Sequence, residues 1–147
     1  MQIRKPHFPN EIADLTAIWK RASEATHTFL TAADVAEIEV KVREEYLPHA
    51  FDQLWVAADD SDRAVGFLGL DGPSVDALWV DPDLHGTGIG TALLDFAATH
   101  HRELTVDVNE QNPKAHDFYR RRGFVDVGRS EDDGEGRPFP IIHMRIP

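Results

Sequence analysis

A glycine-rich turn is the strongest chemical signal in the sequence. Residues 80–91 read Val-Asp-Pro-Asp-Leu-His-Gly-Thr-Gly-Ile-Gly-Thr, so an apolar run stops, three alternate glycines follow, and a helical pattern begins. Glycine allows positive φ and lets a ligand approach the backbone closely. The unpaired N–H groups at a helix start, with the helix dipole behind them, favour an anion. The turn therefore predicts a site for a phosphate or a pyrophosphate group.

Two common phosphate motifs do not fit this turn. A P-loop requires Lys followed by Ser or Thr after its last glycine, whereas Gly90 is followed by Thr91 and Ala92. A dinucleotide fingerprint requires G-x-G-x-x-G, whereas the turn reads G-x-G-x-G. Neither ATP hydrolysis nor NAD binding is favoured, which weakens the interpretation as another kind of nucleotide-binding protein.

A second motif occupies residues 109–124, Asn-Glu-Gln-Asn-Pro-Lys-Ala-His-Asp-Phe-Tyr-Arg-Arg-Arg-Gly-Phe. Its ends are typical of a short helix, with an N-cap, a first-turn proline and a left-handed terminal glycine at Asn112, Pro113 and Gly123. Three residues at spacing i, i+3 and i+4 share one face, namely Ala115, Phe118 and Tyr119. By spacing alone, Tyr119 is predicted to be a core residue and Asn109 and Asn112 to serve the turn and the cap.

The elements around these motifs predict a mixed α/β (α+β) fold. Helical spacing covers residues 11–25, and a second helix is predicted from about Thr31, with a Thr31–Asp34 capping box and Pro48 as its end. A third helix is predicted from Gly88 to about His100. Strands are predicted at 54–58, 64–70, 75–80, 104–109, 124–127 and 141–146. This order indicates a mixed sheet.

Composition limits the classes of partner. The chain has 147 residues, 41% of them hydrophobic, which suits one domain. The net charge of −11 disfavours nucleic acid and anionic membranes as partners. Without cysteine there can be no disulfide, thiolate metal site or cysteine nucleophile. No metal is expected, because the His100–His101 pair lacks further ligands nearby. Without a signal peptide or membrane span, a soluble cytoplasmic protein is expected.

Together the two motifs resemble those of the GCN5-related N-acetyltransferases (GNAT). The family's pyrophosphate loop, R/Q-x-x-G-x-G/A, corresponds to His85-Gly86-Thr87-Gly88-Ile89-Gly90, and its N-x-x-N-x-x-A-x-x-F-Y-x-x-x-G-F pattern is matched in full from Asn109 to Phe124. Within the family, residues 25–30 and the Glu110-Gln111 pair are similar to the bacterial YjaB-type acetyltransferases. The resemblance covers the C-terminal two thirds, while residues 1–50 match only as two helices.

The resemblance implies one GNAT-like domain over residues 1–147, with a mixed, mostly antiparallel central sheet and about four flanking helices, two of them N-terminal. It implies an enzyme that transfers acetyl from acetyl-CoA to an amine of a small molecule, a lysine or an N-terminus. The alternative is a non-catalytic sensor that binds acyl-CoA. A homodimer remains open.

The resemblance also implies roles for individual residues. The backbone of Leu78, Trp79 and Val80 would pair with the pantetheine arm, and the pyrophosphate would be held by Gly86, Thr87, Gly88, Ile89, Gly90 and Thr91. Asn109 would reach the pantetheine amides, and Asn112 and Ala115 would lie on the cofactor side of the last crossover helix. Tyr119 would protonate the departing thiolate. His85 replaces the usual Arg or Gln, which predicts weaker and more pH-dependent cofactor binding.

The acceptor side is less determined. Because an acyl-cysteine is impossible, direct attack by a neutral amine is the simplest reaction, and a base or a water chain must take its proton. Glu24 and His27 are the candidate bases, with Asp76 and Asp107 as weaker ones; otherwise His27 is structural and Glu24 is a solvated charge. The acidic turn 131–136 either favours cationic acceptors or is a solvated hairpin tip.

Overall fold

The computed structural model describes residues 1–146, which form a seven-stranded sheet with helices on both faces. The elements are β1 (Gln2–Arg4), α1 (Ile12–Thr26), α2 (Ala32–Lys41), α3 (Leu47–His49), β2 (Leu54–Ala58), β3 (Ala64–Asp71), β4 (Ser74–Val80), α4 (Ile89–His100), β5 (Leu104–Asn109), α5 (Pro113–Arg121), β6 (Val125–Ser130) and β7 (Ile141–Ile146). The strand order is β1-β2-β3-β4-β5-β7-β6. Only the β4–β5 pair in residues 1–146 is parallel, so the prediction of a mixed, mostly antiparallel sheet is confirmed.

Two features near the N-terminus differ from the sequence prediction. Strand β1 was not predicted, because three residues before a proline carry too little periodicity; it pairs with β2, for example Ile3 with Ala57. The second helix does not end at Pro48, because α2 continues through a π-helical turn, Val42–Tyr46, into α3. Pro48 falls in the first turn of α3, where its missing N–H is not needed.

The sheet separates two hydrophobic clusters. The cluster under α4 and α5 includes Leu68, Leu93 and Val106, and the cluster under α1 and α2 includes Leu15 and Phe67. Successive side chains of a strand point to opposite faces, so Leu68 and Phe67 of β3 fill different clusters. Each is at most 1% exposed, and full burial of such a side chain contributes roughly 1.5–3 kcal/mol.

A β-bulge in β4 opens the middle of the sheet. The β3–β4 register changes from Gly69 opposite Ala77 to Leu70 opposite Val75, which leaves Asp76 as an extra residue. A bulge bends its strand and increases the local twist. Strand β4 pairs with β5 only at Ser74 and Val75, so the two strands separate beyond the bulge.

The hydroxyl of Tyr46 packs against the same region of the sheet, at Gly69. It occupies the space that a Cβ at Gly69 would take, and it is buried without a hydrogen-bond partner in the described part of the chain. Burial, together with the charges of Asp76 and Asp71, raises the pKa of Tyr46. Gly69 therefore lets α2 and its π-helical extension pack closely on the sheet beside the bulge.

Helix ends follow the local sequence closely. The predicted capping box is present, since the Thr31 hydroxyl accepts from the Asp34 N–H and the Asp34 carboxylate accepts from the Thr31 N–H, both at 3.0 Å. Within residues 1–146, no helix combines the length and the apolar character that a membrane crossing requires.

Candidate active site

The gap between β4 and β5 is the mouth of a cavity of about 1210 Å³. Its walls come from the end of α1, from β4 and the glycine turn, and from β5 and α5. Every cofactor-binding residue predicted from the sequence except Thr87 lines it. The motifs that lie apart in the sequence are thus brought to one site.

One edge of β4 is free to bind a ligand. Leu78, Trp79 and Val80 pair with Leu68, Phe67 and Gly66 of β3, while their other edge has no strand partner in residues 1–146. Unpaired N–H and C=O groups along an extended strand can accept an added strand. This edge can therefore hold an extended ligand that carries amide groups.

The glycine turn has a backbone conformation that suits an anion. Gly86 and Gly88 have φ of +81° and +93°, a region that residues with a Cβ rarely adopt. No side chain caps α4, and its first turn carries no acidic residue. The first hydrogen bond of α4 runs from the Ala92 N–H to the Gly88 carbonyl, at 2.9 Å, so the N–H groups of Ile89, Gly90 and Thr91 are left for a ligand. The Thr87 N–H instead donates to the Leu84 carbonyl at 3.3 Å.

The start of the turn is anchored at Asp81, which is only 3% exposed. Its carboxylate accepts hydrogen bonds from the Asp83 N–H at 3.0 Å and from Arg21 of α1 at 3.1 Å. Burial alone would raise the pKa of Asp81, but these donors and the nearby Arg63 lower it below the usual range. The buried carboxylate therefore stays ionised and ties α1 to the turn.

His85 has a local structural contact in this turn. Its Nε2–H donates to the carbonyl oxygen of Val80 at 3.0 Å, since a carbonyl can only accept. The Thr87 hydroxyl similarly donates to the Leu84 carbonyl at 2.6 Å. Both side chains thus hold the turn's own backbone, which leaves the anion to the main-chain N–H groups.

Helix α5 carries the second motif into the cavity. Asn112 is buried, and its side-chain oxygen accepts from the Ala115 N–H at 3.2 Å, which is the capping role that its spacing predicts. Asn109 ends β5 and lines the cavity half-buried. The close approach of α4 and α5 depends on Gly90, where a Cβ would lie 3.3 Å from the Phe118 ring.

Tyr119 is buried in an aromatic group and lines the cavity. Its ring packs edge-on against Phe118 and Phe124, at centroid distances of 5.2 and 5.3 Å. Burial raises the pKa of Tyr119, so the phenol remains protonated at neutral pH. It can donate a hydrogen bond to negative charge that develops in the cavity.

Of the two candidate bases, only His27 lines the cavity. Its Nδ1 lies 3.0 Å from the Thr26 hydroxyl, and its ring contacts Trp79 at a centroid distance of 5.4 Å. Burial lowers the pKa of His27 to about 4, so it is unprotonated at neutral pH. Glu24 is exposed on α1 and is not among the lining residues, whereas Asp76 and Asp107 are.

Basic residues of α5 line the cavity wall near the glycine turn. Arg120 binds Asp126 at 2.8 Å and Arg122 binds Asp95. Lys114 and Arg121 also line the cavity and have no ion-pair partner among residues 1–146. They supply positive charge for an anionic ligand at this end. Across the same residues, no group of three or more His, Asp or Glu side chains is arranged to hold a metal ion.

The acidic turn folds onto α2. Glu135 binds Lys41 at 2.6 Å, and Arg137 binds Glu37 at 2.6 Å and Asp133 at 3.6 Å. Glu131 binds Arg129 at 2.5 Å. Three of its four carboxylates therefore already have a basic partner, which reduces the charge that this turn could offer a cationic acceptor.

Contacts made between strands were not predicted from the sequence. Asp107, His143 and Ser130 lie on β5, β7 and β6 and form a hydrogen-bonded chain. No local spacing signals it, because the residues meet only once the register is known. The bulge had a weak signal, since an isolated glycine in a strand pattern, here Gly69, indicates a bulge or a close approach.

Comparison with known proteins agrees with this architecture. A family model described as acetyltransferase (GNAT) domain matches residues 50–126. The chain is 47% identical over 133 residues to the peptidyl-lysine N-acetyltransferase YjaB of Salmonella typhimurium, which covers 90% of each chain. The solution structure of apo YjaB from Escherichia coli superposes with a TM-score of 0.91 at 44% identity, over 98% of this chain and 95% of that one.

A more distant structure shares the fold. The PaiA N-acetyltransferase of Thermoplasma acidophilum, solved in complex with coenzyme A, superposes with a TM-score of 0.81 at 20% identity, over 99% of this chain and 97% of that one. The family model extends over β4, the glycine turn, β5 and α5, which form most of the cavity wall. The chain therefore belongs to the GCN5-related N-acetyltransferase (GNAT) family and is an acetyl-CoA-dependent N-acetyltransferase.

Proposed function

We propose that this enzyme acetylates the ε-amino group of lysine in peptides or proteins. The observation that carries the proposal is the 47% identity, over 90% of both chains, to a relative named as a peptidyl-lysine N-acetyltransferase. One acetyltransferase domain would comprise the whole chain, because the sheet runs from β1 to β7 and both hydrophobic clusters draw on it.

The cavity supports a specific placement of acetyl-CoA. Its pyrophosphate would lie on the N–H groups between Gly86 and Thr91, and its pantetheine arm would pair with the free edge of Leu78–Val80. Asn109, at the end of β5 across the gap, would reach the pantetheine amides. Lys114 and Arg121 would face the phosphates of the nucleotide end.

The reaction is a direct transfer. Acetyl-CoA supplies an acetyl thioester, and the neutral amine forms an N–C bond to its carbonyl carbon as the C–S bond breaks. A free N–H of the β4 edge would stabilise the negative charge that develops on the carbonyl oxygen. The leaving thiolate, with a reference pKa near 8.5 for a thiol, accepts a hydrogen bond from Tyr119 as the C–S bond breaks. Because burial raises the pKa of Tyr119, this hydrogen bond, more than complete proton transfer, stabilises the thiolate.

His27 would receive the proton that the amine loses. With a pKa of about 4 it is unprotonated and able to accept, but it is a weak base. It would therefore act only as the N–C bond forms, when the amine nitrogen has become acidic. Its opposite ring nitrogen is held by the Thr26 hydroxyl, which leaves Nε2 for the acceptor.

The acceptor class is tested with matched peptides. We expect a lysine-containing peptide to gain the mass of one acetyl group and to release one CoA per acetyl group transferred. The same peptide with arginine in place of lysine and a blocked N-terminus should do neither. Acetylation only of peptides with a free N-terminus would contradict a lysine acceptor, and acetyl-CoA binding without turnover on any amine would instead support the sensor.

Replacing Tyr119 by Phe tests the acid. The substitution keeps the ring and its packing and removes only the donor. We expect kcat to fall by about 10²–10³-fold, the usual effect of losing one transition-state hydrogen-bond donor, with CoA affinity nearly unchanged. Steady-state kinetics and calorimetry measure the two quantities. A variant with full turnover would remove Tyr119 from this role.

Replacing Gly88 by Ala tests the pyrophosphate site. Gly88 and Gly72 both have positive φ, +93° and +57°, and a Cβ at either meets no protein atom within 4 Å. Both alanine variants should lose about 1–2 kcal/mol of stability from backbone strain. Only Gly88→Ala should weaken CoA binding, by about tenfold or more, because hydrogen bonds to a charged group are lost. Equal CoA affinity in the two variants would exclude this site.

The two candidate bases are separated by comparing His27→Asn with Glu24→Gln. We expect His27→Asn to lower kcat by about 10²-fold and Glu24→Gln to change it little, because only His27 reaches the cavity. Since a base works unprotonated and burial lowers the pKa of His27 to about 4, His27 should add no ionisation to the rate profile at mildly acidic or neutral pH. A larger loss of kcat in Glu24→Gln than in His27→Asn would favour Glu24 as the base.

A further inference from the structure

Three side chains on neighbouring strands form a continuous hydrogen-bonded chain beside the cavity. His143 Nδ1 lies 2.6 Å from Asp107 Oδ1, and His143 Nε2 lies 2.7 Å from the Ser130 hydroxyl. We propose that His143, fixed by Ser130, is a positioning residue that holds Asp107 to bind the cationic acceptor amine. The inference rests on the proposed lysine acceptor and concerns the acceptor half of the same cavity.

The direction of each hydrogen bond follows from the groups present. A carboxylate only accepts, so Nδ1 of His143 carries the hydrogen and donates to Asp107. In the neutral imidazole Nε2 then accepts, and the Ser130 hydroxyl donates to it. The second oxygen of Asp107 has no hydrogen-bond partner among residues 1–146. That oxygen is left for a ligand.

Asp107 lies on β5 at the point where β4 and β5 separate. It follows Val106, the last β5 position next to a β4 residue in the parallel ladder, and it lines the cavity with a side chain that is 67% exposed. Asp76, the bulge residue, lines the β4 side of the same gap. Burial is the largest cause that raises the pKa of Asp76, and the charges of Asp71 and Asp107 raise it further. The carboxylates of Asp76 on β4 and Asp107 on β5 are therefore close enough to interact.

The groups packed around His143 determine how its charge acts on Asp107. The ring lies over Gly128 of β6, where a Cβ would be 3.4 Å from His143 Cδ2. Asp107 of β5 and Ser130 of β6 face the ring, and Arg145 shares its face on β7, two residues along. The other charged residues of β6 are bound elsewhere, Asp126 to His116 and Arg120, and Arg129 to Glu110 and Glu131.

The protonation of His143 would therefore set the charge that an acceptor meets. When neutral, His143 leaves the full negative charge of Asp107 to attract a lysine ammonium. When protonated, it donates from both ring nitrogens, so the chain persists, but its positive charge offsets that of Asp107. KM for a cationic acceptor should therefore rise once the solution is acidic enough to charge the imidazole of His143.

Variants at position 143 separate positioning from packing. His143→Ala removes the donor to Asp107, whereas His143→Asn keeps a donor near the Nδ1 position and cannot ionise. We expect His143→Ala to raise KM for a lysine peptide about tenfold, with kcat and acetyl-CoA affinity little changed. His143→Asn should keep the low KM and lose the rise of KM in acid. Ser130→Ala should alter the pH dependence of KM. The matched control is His49→Asn, at an exposed histidine.

A double-mutant cycle tests whether His143 acts through Asp107. Asp107→Asn should raise KM about as much as His143→Ala, and the double variant should be little worse than Asp107→Asn alone, because the two residues form one unit. Additive effects in the cycle, an unchanged KM in His143→Ala, or an acid-pH rise retained in His143→Asn would overturn the proposal. Wild-type activity on lysine peptides is measured in the same series, so failure of the lysine acceptor itself is seen separately.

Discussion

The separation of two parallel strands is the constraint on which the rest of this enzyme depends. Strand β4 leaves β5 after two paired residues, at the bulge formed by Asp76. Leaving strand edges unpaired costs hydrogen bonds, and the open edge is retained where an amide-bearing ligand can pair with it. The glycine turn lies directly after that edge, and Tyr119 and His27 lie on opposite walls of the resulting cavity. One local irregularity thus arranges the proposed cofactor edge, the proposed anion site and the proposed reacting groups.

Charge is distributed to suit two different ligands at the two ends of this gap. On the nucleotide side, the unpaired N–H groups of α4 and the cationic side chains of Lys114 and Arg121 favour an anion. On the acceptor side, Asp76 and Asp107 line the strands. The acidic turn 131–136, which holds four of the chain's 26 acidic residues, instead forms ion pairs that tie the β6–β7 connection to α2. Unpaired charge at the cavity, more than net charge, would then select the acceptor.

The sequence predicted those features whose causes are local. The glycine turn, the Asn112 cap and the capping box at Thr31 are each encoded within a few residues, and the structure confirms the elements that they start. The motif order also identified the family. The Asp107–His143–Ser130 chain was not predictable, because it joins strands whose register depends on the whole sheet. Glu24 and His27 were both candidate bases in the sequence, and the packing of the end of α1 on Trp79 places His27 at the cavity.

The most direct test follows the backbone amides by NMR while acetyl-CoA is added to the isotopically labelled protein. The largest chemical-shift changes are predicted along Leu78–Val80 and from Gly86 to Thr91, saturating together at one binding constant. Shifts centred on another surface, with these amides unchanged at saturation, would contradict the claim that the opened β4 edge and the glycine turn form one cofactor site.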